Sequence, residues 1–196
     1  MKEIIEKSLS KAMSYDDYKM LVDKLIKEGK STGENQSDDL LNYSVLNDKR
    51  MKRLDKTLHV SSKSIENVKR IKDKQTWLVL TEGWCGDAAQ NLPMINKIAK
   101  ENSNINLQLV LRDENLDLMD GFLTNGGRSI PKLIVLDDKK NVVGTWGPRP
   151  SEATAMVKTY KEKNGKLDVE FKKDLQIWYN KNKGRNTEDD LVSLLS

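Results

Sequence analysis

The segment TWLVLTEGWCGDAAQNLP, Thr76 to Pro93, contains the only cysteine of the 196-residue sequence, Cys85. Its first residues, TWLVL, form a short apolar run typical of a strand covered on both faces. From Cys85 onward the sequence predicts a helix, so the thiol lies where a strand turns into a helix. Backbone N–H groups and the positive dipole end of a helix N-terminus favour thiolate over thiol. This position suggests redox chemistry.

The sequence after this segment continues the alternation of strand and helix. INLQLVL, Ile105–Leu111, predicts a second strand, and a short helix follows it. PKLIVLD and NVVGTW predict two further strands joined by the polar turn DDKK, which favours an antiparallel hairpin. Ser151 is expected to cap the next helix. The alternation makes the first two strands parallel with a right-handed crossover, and the fold class is α/β.

The sequence on either side of this region predicts helices. Ser14 is a plausible N-cap for YDDYKMLVDKLIKEGK, and Ser37 for DDLLNYSVLNDKRMKRLDK. A third, shorter helix is expected to begin near Ser64. Beyond the hairpin, VEFKKDLQIWYNK and EDDLVSLLS predict two more helices, the second capped by Thr187.

The motifs around the cysteine resemble those of the thioredoxin family. Trp84-Cys85-Gly86 matches the start of the W-C-G-P-C active site, and Pro93 falls where thioredoxin helices carry a kinking proline. Ile130-Pro131, just before KLIVLD, matches the cis-proline of the family. The order of the predicted strands and helices also resembles that of the thioredoxin family. The resemblance covers residues 64–163, and the chain looks like bacterial thioredoxin-like proteins with extra N-terminal helices.

The resemblance implies a thioredoxin-like fold, a central mixed sheet flanked by helices, with additions at both ends. We expect an N-terminal helical extension over residues 1–60 that packs on the core. The thioredoxin-like domain would follow over residues 61–165, and a C-terminal helical tail over 166–196. A cis Ile130–Pro131 bond opposite the thiol would present backbone groups that pair with an extended substrate peptide. Trp84 would cover one side of the thiol, and Gly86 would let a partner chain approach.

The sequence departs from the family pattern at three positions. Ala88 replaces the second cysteine, so this chain cannot carry out dithiol–disulfide exchange internally. Asp87 takes the place of the motif's proline, and its carboxylate should raise the pKa of the thiol. Val79 occupies the position of a buried acid that handles protons in thioredoxins. Glu82 is the one nearby carboxylate that could substitute for it.

Each candidate residue also has a plain structural interpretation. Cys85 could be only a small buried hydrophobe. Asp87 could be an ordinary first-turn acid, and Glu82 a surface residue at the end of a strand. Arg128 and Arg149 lie in loops at strand or hairpin ends, where either could hold a carboxylate, polarise the thiolate, or simply keep the surface soluble.

Charge and composition narrow the function classes. The 34 basic and 30 acidic residues give a net charge of +4 and are well mixed, so no nucleic-acid partner is expected. No apolar run is long enough to span a membrane. One cysteine and one histidine, His59, exclude a Cys/His zinc site. CGDA differs from the C-G-F-S signature of cluster-binding glutaredoxins, so no cofactor is expected, and a single cysteine favours a cytoplasmic location.

Two functions remain open from the sequence. The first is a monothiol redox protein in which Cys85 forms mixed disulfides with protein or peptide thiols, or with a small thiol such as glutathione. The second is a redox-inactive module that binds a protein or peptide around Pro131 and Trp84. For the first function we expect a partly exposed Cys85 thiol, with a pKa near or modestly below the free value of about 8.5.

Overall fold

The computed structural model describes residues 1–195. Its helices and strands, in chain order, are α1 Lys2–Leu9, α2 Tyr15–Lys27, α3 Asp38–Thr57, α4 Ser62–Lys69, β1 Gln75–Thr81, α5 Gly86–Lys100, β2 Ile105–Leu111, α6 Leu116–Asp120, β3 Lys132–Leu136, β4 Val142–Trp146, α7 Ser151–Asn164, α8 Val169–Asn182 and α9 Arg185–Leu194.

The four strands form one mixed sheet with the order β2-β1-β3-β4. β1 pairs with β2 in parallel and with β3 antiparallel, and β3 and β4 form an antiparallel pair. These pairings confirm the predicted parallel start and hairpin, and the α/β thioredoxin-like fold class. The central strand β1 is fully covered, since the residues from Trp77 to Leu80 are each 0% exposed.

Side-chain capping explains where several helices begin. Ser14 Oγ accepts from the Asp17 N–H, and Ser37 Oγ accepts from the Leu40 N–H, as predicted. The third helix begins two residues earlier than expected, at Ser62, because Ser61 provides its cap. The N-terminal segment also contains α1, and Met13 bridges to Leu109 at the outer edge of β2.

Two predicted caps are wrong. Ser151 is the first residue of α7 rather than its cap, and its hydroxyl donates to Asp190 in α9. α9 begins at Arg185, before the predicted Thr187, whose hydroxyl donates to Asn91 in α5 instead. In both cases the side chain that was predicted to cap a helix instead forms a hydrogen bond with a residue that is distant in the sequence. The predicted final helix EDDLVSLLS ends at Ser196, which lies outside the described residues.

The buried side chains form two separate clusters. The larger cluster surrounds the sheet and includes residues of α1, α2 and α3 such as Ile5, Tyr18 and Leu54. The smaller cluster lies between α7 and α8 and contains Ala153, Val157, Phe171, Leu175 and Tyr179. The α7–α8 pair therefore has an apolar core of its own.

Within residues 1–195, no helix is long and apolar enough to cross a membrane.

Candidate functional site

Cys85 is the N-cap residue of α5, directly after the loop that leaves β1. Its Sγ accepts from the Ala88 N–H at 3.4 Å and donates to the Ile130 carbonyl oxygen at 3.3 Å. The residue is 8% exposed. The expectation of a partly exposed thiol is therefore wrong, because neighbouring elements cover the start of α5.

The pKa of the Cys85 thiol is raised to about 12, which contradicts the expected value near or below 8.5. Burial is the largest cause, and the negative charge of Asp87 is the second. Backbone N–H groups of Ala88 and Asp87, and the charge of Arg149, act in the opposite direction. The predicted effect of Asp87 has the correct sign, but desolvation outweighs the stabilisation of a thiolate by the helix start.

The proline loop lies against the thiol. The Ile130–Pro131 peptide bond is cis, and Ile130 provides the carbonyl that accepts from Sγ. The Gly147–Pro148 bond is also cis, and Gly147 has φ +110. A Cβ on Gly147 would lie 2.2 Å from the Pro131 carbonyl oxygen. Only glycine therefore allows the loop after β4 to approach the proline loop this closely.

Asp87 is the centre of a polar network in the first turn of α5. Its Oδ2 pairs with Arg149 Nη2 at 2.7 Å, and its Oδ1 accepts from the Tyr179 hydroxyl at 2.9 Å. Asn91 Nδ2 also donates to that hydroxyl, at 3.2 Å. Burial raises the pKa of Asp87, although Arg149 and Tyr179 favour its ionised form. Asp87 thus joins α5 to the loop after β4 and to α8.

Glu82 is buried, with 0% exposure, which corrects the alternative of a surface residue at a strand end. Its Oε1 accepts from the Asp113 N–H at 2.9 Å. The Thr32 side chain and the Asp113 N–H both favour the ionised form of Glu82. Burial raises the pKa of Glu82, and the charges of Glu82 and Cys85 both contribute to the raised pKa of the buried Tyr18. The buried Tyr18 therefore lies near both Glu82 and Cys85.

Helix α3 and the loop before it hold the loop that carries the cysteine. Thr32 Oγ1 accepts from the Gly83 N–H at 2.8 Å, and Asn47 Nδ2 donates to the Gly83 carbonyl at 3.0 Å. A Cβ on Gly83 would lie 3.3 Å from Val22 Cγ2, so the loop and α2 are in close contact. Sequence reasoning missed Thr32 and Asn47, because no local pattern connects them to a loop more than 35 residues later.

Of the remaining predicted site residues, Trp84 and Gly86 flank Cys85 in the chain, whereas Arg128 pairs with an acid on the surface. Trp84 is partly buried, and the Arg112 guanidinium lies over its ring at 4.8 Å from the centroid. Gly86 lies at the first turn of α5, next to the thiol. Arg128 instead forms a two-point ion pair with Asp120 at 2.6 and 2.8 Å on the surface. Of the two arginines considered from the sequence, Arg149 is the one that contacts the first turn of α5.

Helix α8 and helix α3 cover the start of α5. A Cβ on Gly86 would lie 3.6 Å from Gln176 Nε2 and 3.9 Å from Arg50 Nη1. Gln90 Nε2 donates to Gln176 Oε1 at 2.9 Å. The space that the sequence assigned to an approaching partner chain is therefore occupied by side chains of this chain. Over the described 195 residues, no cluster of His, Cys, Asp and Glu could hold a metal ion.

Comparison with known proteins supports the fold. A family model described as thioredoxin matches residues 33–161, a region that begins before α3 and ends in α7. A protein of unknown function from Pseudomonas aeruginosa has a TM-score of 0.61 and 20% identity, over 76% of this chain and 84% of its own. An HIV epitope scaffold has a TM-score of 0.58 and 19% identity, over 93% of this chain and 98% of its own. No curated protein matches the sequence.

Proposed function

The chain belongs to the thioredoxin family, and from this membership we propose that it acts through Cys85 as a monothiol protein that forms mixed disulfides. The observation that carries the proposal is the contact between Cys85 Sγ and the Ile130 carbonyl beside the cis Pro131, at 3.3 Å. Asp87, a titratable group with a raised pKa value, lies close to this contact. Such groups concentrate at functional sites, because burying them costs stability.

The proposed reaction is an exchange between Cys85 and an external disulfide. Cys85 gives its proton to solvent, and the thiolate attacks one sulfur of that disulfide. A new bond forms between the two sulfurs, the original S–S bond breaks, and the other half leaves as a thiolate. Because Ala88 provides no second thiol, the mixed disulfide persists until an external thiol attacks it.

The partners that we propose are protein or peptide thiols, or a small thiol such as glutathione, in the cytoplasm. A reducing compartment suits a chain whose one cysteine cannot form an internal disulfide. The raised pKa of Cys85 implies slow thiol–disulfide exchange at neutral pH unless the elements that bury the thiol move away from it.

Mass spectrometry after incubation with glutathione disulfide tests the monothiol proposal. We expect one glutathione adduct on the native chain and none on Cys85→Ser, with more adduct at pH 9 than at pH 6. Insulin reduction driven by a thioredoxin reductase should stay at background for both proteins. If native Cys85 forms no adduct with glutathione disulfide and no alkylation product across pH 6 to 9, the monothiol function is excluded.

A second candidate function is a redox-inactive module that binds a protein or peptide around Pro131 and Trp84. The observation that favours it is the burial of Cys85 together with the raised pKa of its thiol, because both make the thiol unreactive. In this case Cys85→Ser should leave binding of the cellular partner unchanged, whereas substitutions at Trp84 should weaken it.

A further inference from the structure

A cavity of about 330 Å³ lies between the end of α3 and the end of α8. Arg53 Nη2 donates across it to Asn180 Oδ1 at 2.8 Å. A volume of this size is at the lower end of the range for small-molecule sites, so a ligand of this cavity is small. The residues that line it are Arg53, Leu54, Thr57, Leu58, Tyr179, Asn180 and Lys183.

The buried side of the cavity is apolar. Leu54 and Leu58 are 7% and 3% exposed and belong to the main cluster, whereas Tyr179 is 4% exposed and belongs to the α7–α8 cluster. The Tyr179 hydroxyl is already bound to Asp87 and Asn91, so its ring is the part that remains for a ligand. The cavity therefore lies where the two clusters meet, and small-molecule sites often occupy such boundaries.

The exposed charges that line the cavity are positive. Arg53 comes from α3 and Lys183 follows α8, and no Asp or Glu among residues 1–195 is part of the lining. Within the described chain Arg53 pairs with the neutral amide of Asn180, and neither cation has a carboxylate partner. Since a guanidinium has five N–H donors and an ammonium has three, both groups retain donors for an anion.

Compensation of the helix ends does not account for these two charges. The C-terminus of a helix carries about half a negative charge, which a cation in the last turn offsets. α3 already has Lys56 in its last turn, and α8 has Lys181, and neither of these lysines lines the cavity. Arg53 and Lys183 are therefore positive charges in addition to those that the helix ends require.

Lys183 has a backbone conformation that glycine adopts more readily. Its φ is +54 and its ψ is +37, in the left-handed region where a side chain is unfavourable. Glycine is the usual residue in this conformation after a helix. A lysine at this position keeps a cation in the lining of the cavity, although glycine suits the backbone better.

We infer that this cavity binds a small amphipathic anion, which has one acidic head group and a short apolar body. The acidic head binds Arg53 and Lys183, and the apolar body packs on Leu54, Leu58 and the ring of Tyr179. Binding is non-covalent and adds contacts between α3 and α8. The inference goes beyond the proposed function, because it does not require a reactive thiol.

Fluorescence titration of the full chain with anilinonaphthalene sulfonate, an aromatic anion, tests the inference. Phenylnaphthylamine is the matched neutral probe, because it has the same aromatic body without the sulfonate. We expect the native chain to bind the anionic probe at one site. Octanoate, a carboxylate with a short apolar chain, should displace the probe from that site.

Arg53→Gln and Lys183→Gly should each weaken binding of the anionic probe by about three- to tenfold, because each removes one charged partner of the sulfonate. Binding of the neutral probe should not change. Lys183→Gly keeps the test independent of folding, because glycine suits the left-handed conformation at that position. Lys56→Gln and Lys181→Gln are the matched controls, since they remove cations from the same helix ends outside the cavity lining and should leave both probes unaffected.

An affinity for the anionic probe that is the same in the native chain, Arg53→Gln and Lys183→Gly overturns the inference. An equal loss of affinity in the two control variants also overturns it, because the probe would then respond to net charge alone. Cys85→Ser should bind both probes as the native chain does. A native chain that binds the anionic probe but forms no glutathione adduct would therefore exclude the monothiol function and leave this site in place.

Discussion

At the scale of the residue, the thiol of Cys85 is controlled by two opposing influences. The start of α5 and Arg149 favour the thiolate, while burial and the Asp87 carboxylate favour the protonated thiol. Burial is the larger influence, so the resting protein holds a neutral thiol that donates to Ile130. Reactivity at Cys85 should therefore respond to changes in either nearby charge or cover.

Asp87→Asn should accelerate the reaction of Cys85 with iodoacetamide at pH 8. Removing the negative charge lowers the pKa of the thiol, and one pKa unit changes the thiolate fraction tenfold, so we expect about a three- to tenfold increase. Asp120→Asn, which removes the surface partner of Arg128, is the control and should have no effect. In the native chain the rate should rise between pH 7 and 10 without a plateau, because the pKa is about 12. A plateau near pH 8 would contradict the raised pKa.

Glu82→Gln should stabilise the protein at neutral pH. The pKa of Glu82 is raised in the folded state, so its contribution to stability is present below the ordinary carboxyl range of about 4.3 and is lost as pH rises through the folded pKa. Gln can still accept from the Asp113 N–H. Thermal denaturation should give equal midpoints for native and variant near pH 4, and a higher midpoint for the variant at pH 7 to 8.

The control for that measurement is Glu114→Gln, an exposed carboxylate close in sequence, which should leave the midpoint unchanged at both pH values. A Glu82→Gln variant that is less stable than the native chain at pH 8 would show that the buried carboxylate has a partner that compensates for its charge.

At the scale of the element, α8 connects to the rest of the chain mainly through polar side chains near the thiol. Tyr179 donates to Asp87, Gln176 accepts from Gln90, and Asn180 accepts from Arg53. The apolar side chains of α8 pack against α7 in their own cluster. Such an arrangement can separate from α5 without opening the main core, and we expect this movement to uncover the first turn of α5 beside Cys85.

Tyr179→Phe should therefore speed labelling of Cys85 by iodoacetamide. The variant removes the hydrogen bond to Asp87 and the one from Asn91. One bond worth about 0.5–1.5 kcal/mol changes the opening equilibrium by about two- to tenfold, so we expect an increase at least that large. Tyr160→Phe is a matched control, because that hydroxyl donates to Asp168 in the loop before α8 and is not in contact with α5. Equal rates for the two variants would show that α8 does not limit access.

Ala88→Cys should give the first turn of α5 the second thiol that it lacks. The Ala88 N–H lies 3.4 Å from Cys85 Sγ, and residues three apart on a helix can lie within disulfide distance. Mild oxidation should remove both free thiols, and the variant should gain insulin reduction. Ala99→Cys, buried near the far end of α5, is the control and should keep its free thiols. Two free thiols in oxidised Ala88→Cys would mean that the first turn cannot close a disulfide.

At the scale of the whole molecule, the N-terminal helices share the main core with the sheet. Met51 and Leu54 of α3 belong to the same cluster as β1, and Asn47 of that helix holds the cysteine loop. Fold and site therefore depend on the same helix. The matched family region, residues 33–161, includes α3 as well.

Leu54→Ala should lower the free energy of unfolding by about 2–4 kcal/mol, as expected for a buried leucine. Leu46→Ala, on the same helix but 50% exposed, should change it by less than about 0.5 kcal/mol. Denaturant unfolding followed by far-UV circular dichroism measures both, and one cooperative transition is expected. An early separate transition in Leu54→Ala, with the sheet unaffected, would show that α3 folds independently of the core.

Much of this protein could be predicted from local sequence. The apolar run TWLVL, the hairpin strands around DDKK and the serine caps of α2 and α3 indicate their elements, because period and capping depend on neighbouring residues. The position of Cys85 at a helix start and the absence of a second thiol at Ala88 also follow from the sequence alone. The sequence therefore determined the fold class and the one group that can react as a thiol.

The state of that thiol was decided only by the tertiary structure. Tyr179 meets Asp87 from 92 positions away, and Asn47 reaches Gly83 from 36 positions away. These contacts, with Arg50 and Gln176 over Gly86, determine burial, and burial sets the pKa of Cys85 and Glu82. Desolvation depends on every element that packs around a group. The residues near that group in the sequence do not show which distant side chains will cover it.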